Sequence, residues 1–207
     1  LKFDEKRSEI PELNKATNYY DRTNKVESET FVIQSRPVLL NAISRLNYDI
    51  SYYLKGRVRS RELYPQVPFP VTIIRKDSVA YFDGLIVFTH VKDNTFSLNY
   101  QTKNSTIQNQ YRYNDTIRLE GIAFTIEKPK KLNQSVYSFR FNKPEHFYGR
   151  VAGGLSMKPA TKSSNVLLLT ANDRNPQFAA DILNSVLHEY VSYDASQKSK
   201  SATQTIN

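Results

Sequence analysis

The chain has 207 residues, 39% of them hydrophobic, with 14 Tyr, 11 Phe and no Trp. That is a folding composition rather than a disordered one, and it is long enough to bury the core of one generous domain. The absence of Cys excludes disulfides, thiolate zinc sites and cysteine nucleophiles, while a formal net charge of +9 favours partners such as nucleic acid, anionic headgroups or acidic polysaccharide.

Residues 1–25 are polar, lack a sustained period and are expected to form a loosely ordered N-terminal segment. Residues 26–207 are expected to form a single α+β domain, truncated at the start of a long C-terminal helix. In VESETFVI, two helical turns would place Val26, Thr30 and Ile33 on one side. Ser35 is then expected to cap a helix with Pro37 at its second position. Leu39, Ile43 and Leu46 fall at helical spacing in it, and Asn47 ends it. In YDISYYLKG the period changes to two, which puts Ile50, Tyr52 and Leu54 on one face of a strand and Ser51 and Tyr53 on the other.

Arg57, Arg59 and Arg61 alternate with Val58 and Ser60, so an extended backbone would put the three guanidinium groups on one side. Pro65, Pro68 and Pro70 rule out a central strand there and point to an edge or a traverse, with a strand over Val71–Ile74. Between residues 77 and 142 the segments LIVFTHV, TFSLNYQ, TIRLEG, IAFTIEK and SVYSFRF read as antiparallel strands, with tight turns at Asp83-Gly84 and Asp93-Asn94. A brief helical turn over Pro144–Val151 and a strand around Leu155–Lys158 follow.

The run from Val166 to Leu169 predicts a strand covered on both faces. Asn175 then caps a helix with Pro176 at its first position. Phe178, Ile182, Val186 and Tyr190 recur every four residues along it, flanked by Ala179, Leu183, Leu187 and Val191, and the apolar stripe ends at a polar tail from Ser192. Helices at both ends around a run of strands predict an α+β fold with a mixed or mostly antiparallel sheet.

His90, His146 and His188 are scattered without metal-ligand spacing, and no P-loop, GxGxxG or GxSxG is present. No cofactor, metal or catalytic set is expected. The candidate binding surface is Arg57, Arg59, Arg61 and Tyr64, whose forked donors suit carboxylates or phosphates of an anionic glycan or headgroup. The plainer reading is a solvated edge with local salt bridges to Glu62 or Asp77. A binding module for acidic carbohydrate or nucleic acid, using this basic and tyrosine-rich surface, is the second functional reading.

Ser35-Arg36-Pro37-Val38-Leu39-Leu40, Leu46-Asn47-Tyr48 and Arg61-Glu62-Leu63-Tyr64 occur in order. Asp173-Arg174-Asn175-Pro176, Ala179-Ala180-Asp181-Ile182-Leu183-Asn184, Tyr190 and a Lys-Ser tail follow near the end of the chain. Together these passages resemble the periplasmic domain of Wzz-type polysaccharide chain-length determinants, also called polysaccharide co-polymerases, of the kind joined to a Wzc-type bacterial tyrosine kinase.

The resemblance implies the family's α+β base domain, anchored in the bacterial inner membrane by helices on either side and facing the periplasm. It further implies homo-oligomers that work beside a polysaccharide polymerase and export machinery, contact with polysaccharide, no nucleic acid, and no catalytic residue in this portion. Any kinase activity would belong to a cytoplasmic domain elsewhere in the protein. Ser35, Pro37, Arg61, Glu62, Tyr64, Asn175, Pro176 and Asn184, which match the pattern, read as caps and turns rather than as a site. A start at Leu1 rather than Met fits the expectation of a piece of a longer protein, and no apolar run in it approaches the ~20 residues that span a bilayer.

Overall fold

Segments of alternating polarity in the middle of the chain pair into sheets, and the segments of helical period flank them at both ends. The computed structural model describes residues 27–46, 48–55, 60–78, 81–132, 136–161 and 166–206. In chain order the elements are α1 (27–33), α2 (Arg36–Arg45), β1 (Ile50–Lys55), β2 (Ser60–Glu62), β3 (Val71–Lys76), β4 (Ile86–Lys92), β5 (Thr95–Gln101) and β6 (Thr106–Arg112). There follow β7 (Ile117–Leu119), β8 (Ile122–Ile126), β9 (Val136–Phe141), α3 (Pro144–Gly154), β10 (Leu155–Pro159), β11 (Leu167–Ala171) and α4 (Pro176–Ile206). The fold is α+β, and every strand pairing among the described residues is antiparallel. The backbone separates into two compact units, Leu1–Leu46 with Phe147–Asn207 and, between them in sequence, Asn47–His146.

The middle unit holds a six-stranded sheet in the order β2-β1-β9-β4-β5-β6 and a three-stranded sheet in the order β3-β8-β7. Inward residues of both sheets meet in an aromatic core. Phe124 of β8 packs against Phe139 and Phe141 of β9, with ring centroids 6.1 and 4.9 Å apart. Phe69, fully buried, sits between Pro68 and Pro70 and packs on Phe88 at 4.1 Å, Tyr52 at 5.2 Å, Phe139 at 5.8 Å and Tyr137 at 5.9 Å. The proline-rich traverse is thereby pinned to the core by one ring, an arrangement in which aromatic pairs add to the burial of apolar area.

Ile50, Tyr52 and Leu54 face this core as their period predicts. Ser51, on the opposite face, is buried as well, because Asn142 reaches it. The Asn142 amide donates to Ser51 Oγ at 2.7 Å and to the Tyr48 carbonyl at 2.8 Å, its own N–H donates to the Asp49 carbonyl at 2.8 Å, and its carbonyl accepts the Tyr81 hydroxyl. One buried asparagine thus ties the start of β1 to the end of β9.

Two local expectations need correction. β6 is a strand that the sequence reading lacks: its sequence TIQNQYR is polar because it forms an edge, with only Ile107 and Tyr111 half-buried. Asp83-Gly84 does not form a hairpin turn, since residues 81–83 are not a strand, and a Cβ on Gly84 would lie 2.7 Å from the Phe82 ring. Asp93-Asn94 does join β4 to β5, with Asp93 at φ 44°. Gly121, at φ 66°, makes the left-handed turn between β7 and β8, a backbone region where a side chain is disfavoured.

In the other unit, α2 packs against α4, and α4 against β11. Val38, Leu39, Ala42 and Ile43 of α2 and Phe178, Ile182 and Val186 of α4 are buried. Arg45 pairs with Glu189, and the Tyr190 hydroxyl donates to Glu29 at 2.7 Å. Ser35 occupies the N-cap position of α2 with extended backbone, but its hydroxyl makes no capping bond; Asn47 lies outside the described residues.

The expectation of a strand covered on both faces is also corrected. Among the described residues β11 pairs only with β10, and its burial alternates, so Leu168 is 46% exposed and Val166, just outside it, is 62% exposed. The stripe on α4 is buried only through Val186, for Leu187 and Val191 are exposed. The helix nonetheless runs on to Ile206, because Ala, Gln and Lys sustain helical backbone where no apolar stripe remains.

The start of α4 is fixed by two side chains. Asn175 Oδ1 accepts the N–H groups of Gln177 at 3.0 Å and Phe178 at 3.2 Å. Asp173 receives both forks of Arg150, at 2.6 and 2.7 Å, together with the Asn175 N–H at 2.7 Å. Arg150 in turn lies 4.0 Å over the Phe178 ring. Gly154 passes so close that a Cβ there would sit 2.4 Å from the Asn172 carbonyl oxygen.

Two outcomes follow for stability. Asn142→Ala removes the donor to the Tyr48 carbonyl and the Ser51 hydroxyl, both buried with it, and should lower the unfolding free energy by about 2–4 kcal/mol in urea titrations. The paired guanidinium holds the Asp173 carboxyl below its ordinary value of 3.8. A depressed folded pKa contributes stability that is complete above the unfolded value and is lost as pH falls through the folded one. Thermal unfolding of the parent should therefore lose stability as pH falls below about 4, with a shallower acid dependence in Asp173→Asn.

Candidate functional site

Where the traverse leaves β2, the side chains of Tyr48, Ile50, Tyr52, Tyr64, Pro65, Gln66 and Val67 line an open cleft of about 160 Å³. Each wall has a local cause. Period-two spacing on β1 brings Ile50 and Tyr52 to the core-facing side, and Phe69 holds the traverse that carries Tyr64 to Val67. The Leu63 N–H donates to the Tyr52 carbonyl at 2.9 Å, and the Gln66 N–H turns back onto the Leu63 carbonyl at 2.5 Å. The Tyr64-Pro65 peptide is cis.

Tyr48 and Tyr64 meet edge to face with centroids 4.8 Å apart, and the Tyr48 hydroxyl donates to the Glu62 carboxylate. Tyr48 and Tyr52 are buried, Tyr64 is half-buried, and Pro65, Gln66 and Val67 form the exposed rim. Burial pushes the Tyr52 phenol pKa upward, against a smaller opposing effect of its hydrogen bond to the Val71 backbone. The hydroxyl of Tyr52 therefore stays neutral throughout the physiological range.

Of the four residues singled out in sequence, Arg57 and Arg59 lie outside the described residues. Tyr64 lines the cleft, and Arg61, exposed on β2, shortly precedes Tyr64 in the chain but is not among the lining residues. The salt bridges of the plainer reading do not form for Arg61 among the described residues: Asp77 pairs with Arg75 at 3.2 Å, and the Glu62 carboxylate accepts Tyr48. Tyr48 and Gln66 were not among the four residues singled out. In sequence Tyr48 stands out only within the Leu46-Asn47-Tyr48 passage, and Gln66 carries no signal at all, because its place depends on how the traverse folds back.

A second polar cluster surrounds Tyr81. The ammonium groups of Lys76 and Lys143 lie 4.8 and 4.5 Å from its ring centroid, a cation–π arrangement, and they also approach Asp49 at 3.6 Å and Asp83 at 3.9 Å. His146 takes the Lys143 N–H on Nδ1 at 3.2 Å and directs Nε2 to Asp83 at 3.3 Å. Each carboxylate here already faces a cation, so the cluster reads as a stabilising network rather than as a reactive set.

Among the described residues no group of three or more His, Asp and Glu side chains is placed to hold a metal ion, and no helix is long and apolar enough to cross a membrane. His90 meets the Tyr113 hydroxyl at 2.8 Å, and His188 lies on the exposed side of α4.

Burial, then the charges of Asp49, Asp83 and Glu145, push the Tyr81 pKa from 10.0 up to about 12. A raised folded pKa gives stability that is present below the unfolded value and lost as pH rises toward the folded one. Unfolding monitored by far-UV circular dichroism should accordingly show stability falling between pH 10 and 12, and Tyr81→Phe should make that fall less steep.

No family model matches the chain, and no curated protein matches it. Two crystal structures of FlgL from Xanthomonas campestris share limited similarity with it. One has a TM-score of 0.25 at 9% identity, over 68% of this chain and 41% of that one. The other has a TM-score of 0.27 at 8% identity, over 76% and 51% respectively. The chain thus spans about half or less of those proteins, and a likeness at this level carries no argument about function.

Proposed function

We propose that this chain is a non-catalytic scaffold portion of a membrane-anchored chain-length determinant of the Wzz type, self-associating on the periplasmic side of a bacterial inner membrane. In that role it regulates the length of an exported polysaccharide beside the polymerase and export machinery. The observation that carries the reading is the packing of α2 on α4, since these helices hold the Arg36-Pro37-Val38-Leu39-Leu40 part of the first passage and the 179–184 part of the second. Supporting it, Asp173 and Asn175 start α4, and Val38, Leu39 and Ile182 are buried side chains. Exposed apolar side chains on the same unit, Phe31, Leu187, Val191 and Tyr193, offer surface for a second copy.

The test uses the full-length protein in its native membrane. Chemical cross-linking should yield a ladder of oligomers, and Leu187→Lys with Val191→Lys should shorten the ladder and shift the modal length of the surface polysaccharide. The flanking gene sequence should encode a membrane-spanning helix on each side of this chain. A protein that stays monomeric in membrane extracts, with polysaccharide length unchanged on gene deletion, would overturn the reading.

A further inference from the structure

We propose that the cleft bounded by Tyr48, Tyr52, Tyr64 and Gln66 is a saccharide subsite that seats one ring of an acidic, uronate-type glycan, with Arg61 as the partner of its carboxylate. This deepens the scaffold reading and rests on it only for the source of the glycan; the binding chemistry is argued from the cleft alone.

Three features point to this ligand class. The first is size. At about 160 Å³ the cleft is smaller than the ~300–1,000 Å³ of drug-sized ligand sites, so it takes a single ring of a longer chain that continues past its open mouth. The second is the wall. Three tyrosines line it; Tyr48 and Tyr52 are buried, and the half-buried Tyr64 is the ring with surface left for the axial C–H face of a pyranose, the complement of an aromatic quadrupole.

The third is the distribution of polar groups. The Glu62 carboxylate at this edge accepts the Tyr48 hydroxyl, which leaves it engaged within the protein. The Arg61 guanidinium and the Gln66 side-chain amide, by contrast, make no hydrogen bond or ion pair among the described residues, and both are exposed. A planar fork on β2, shortly before Tyr64 in the chain, and an amide on the cleft's rim match a carboxylate and vicinal hydroxyls on one ring. The chain's net charge of +9 favours an anionic polymer over a neutral one.

The experiment titrates the purified chain with hexagalacturonate by calorimetry, using maltohexaose and hexaglutamate as matched neutral-sugar and anionic-peptide probes. Hexagalacturonate should bind saturably, and the other two should bind at least about tenfold more weakly. Arg61→Gln should weaken binding about tenfold and flatten its salt dependence. Gln66→Glu, an exposed change that leaves the fold intact, should weaken it by about as much through like charge in the cleft. Tyr64→Ala should abolish saturation, whereas Arg75→Gln, which is not among the residues lining the cleft, should stay within about twofold of the parent.

Hexaglutamate binding as tightly as hexagalacturonate would overturn the proposal in favour of a peptide or a bare charge effect, and equal binding of maltohexaose would overturn its anionic part. Parent-like affinity in both Arg61→Gln and Gln66→Glu, or no saturable binding by the parent, would also overturn it. Oligomers in the membrane without cleft binding would leave the scaffold reading standing and the subsite refuted; cleft binding by a protein that never self-associates would do the reverse.

Discussion

The burial of Phe69 is the contact on which the middle unit depends. A segment with prolines at 65, 68 and 70 cannot join a ladder from its interior, so it must either wander over the surface or be tied down by a side chain. Phe69 ties it down, meeting Phe88 and Tyr137 of the large sheet as well as Tyr52 and Phe139. Close packing then leaves the flanking residues little choice of position. The cleft is a consequence: its outer wall, Tyr64 to Val67, is the part of the traverse that the buried ring holds against β1.

Polar closure complements that apolar tie. β9 is the last strand of the middle unit in sequence, yet it lies between β1 and β4, so the sheet is completed by a long-range pairing whose loop-closure cost precedes its gain. Asn142, immediately after β9, offsets part of this by satisfying groups on Tyr48, Asp49 and Ser51 together. Tyr81 adds its hydroxyl to the same asparagine while its ring carries two ammonium groups. No buried side-chain nitrogen or oxygen among the described residues lacks a partner, as a settled core requires.

The other unit uses the same logic on helices. Its apolar stripe is short, ending at Val186, so the start of α4 relies on directed polar contacts: a bidentate Arg150–Asp173 pair, an asparagine cap and a guanidinium on Phe178. These explain in physical terms why Asp173, Asn175 and Pro176 stand in that order. Beyond Val186 the helix exposes Leu187 and Val191, and its stability there rests on propensity and on α1 through Tyr190 and Glu29.

By itself the sequence determined the α+β class, the helix over Arg36–Arg45, the cap at Asn175 and most strands, because period, cap residues and turn residues are local properties. It also marked Arg61 and Tyr64. Strand β6 escaped it because an edge strand needs no apolar alternation, and the run at Val166–Leu169 misled it because hydrophobicity does not say how many faces are covered. Only the tertiary structure brought Tyr48 and Gln66 beside Tyr64, engaged Glu62 with Tyr48 and left Arg61 without a carboxylate among the described residues. Those relations depend on where the buried Phe69 anchors a folded-back traverse, and no spacing along the chain encodes that position.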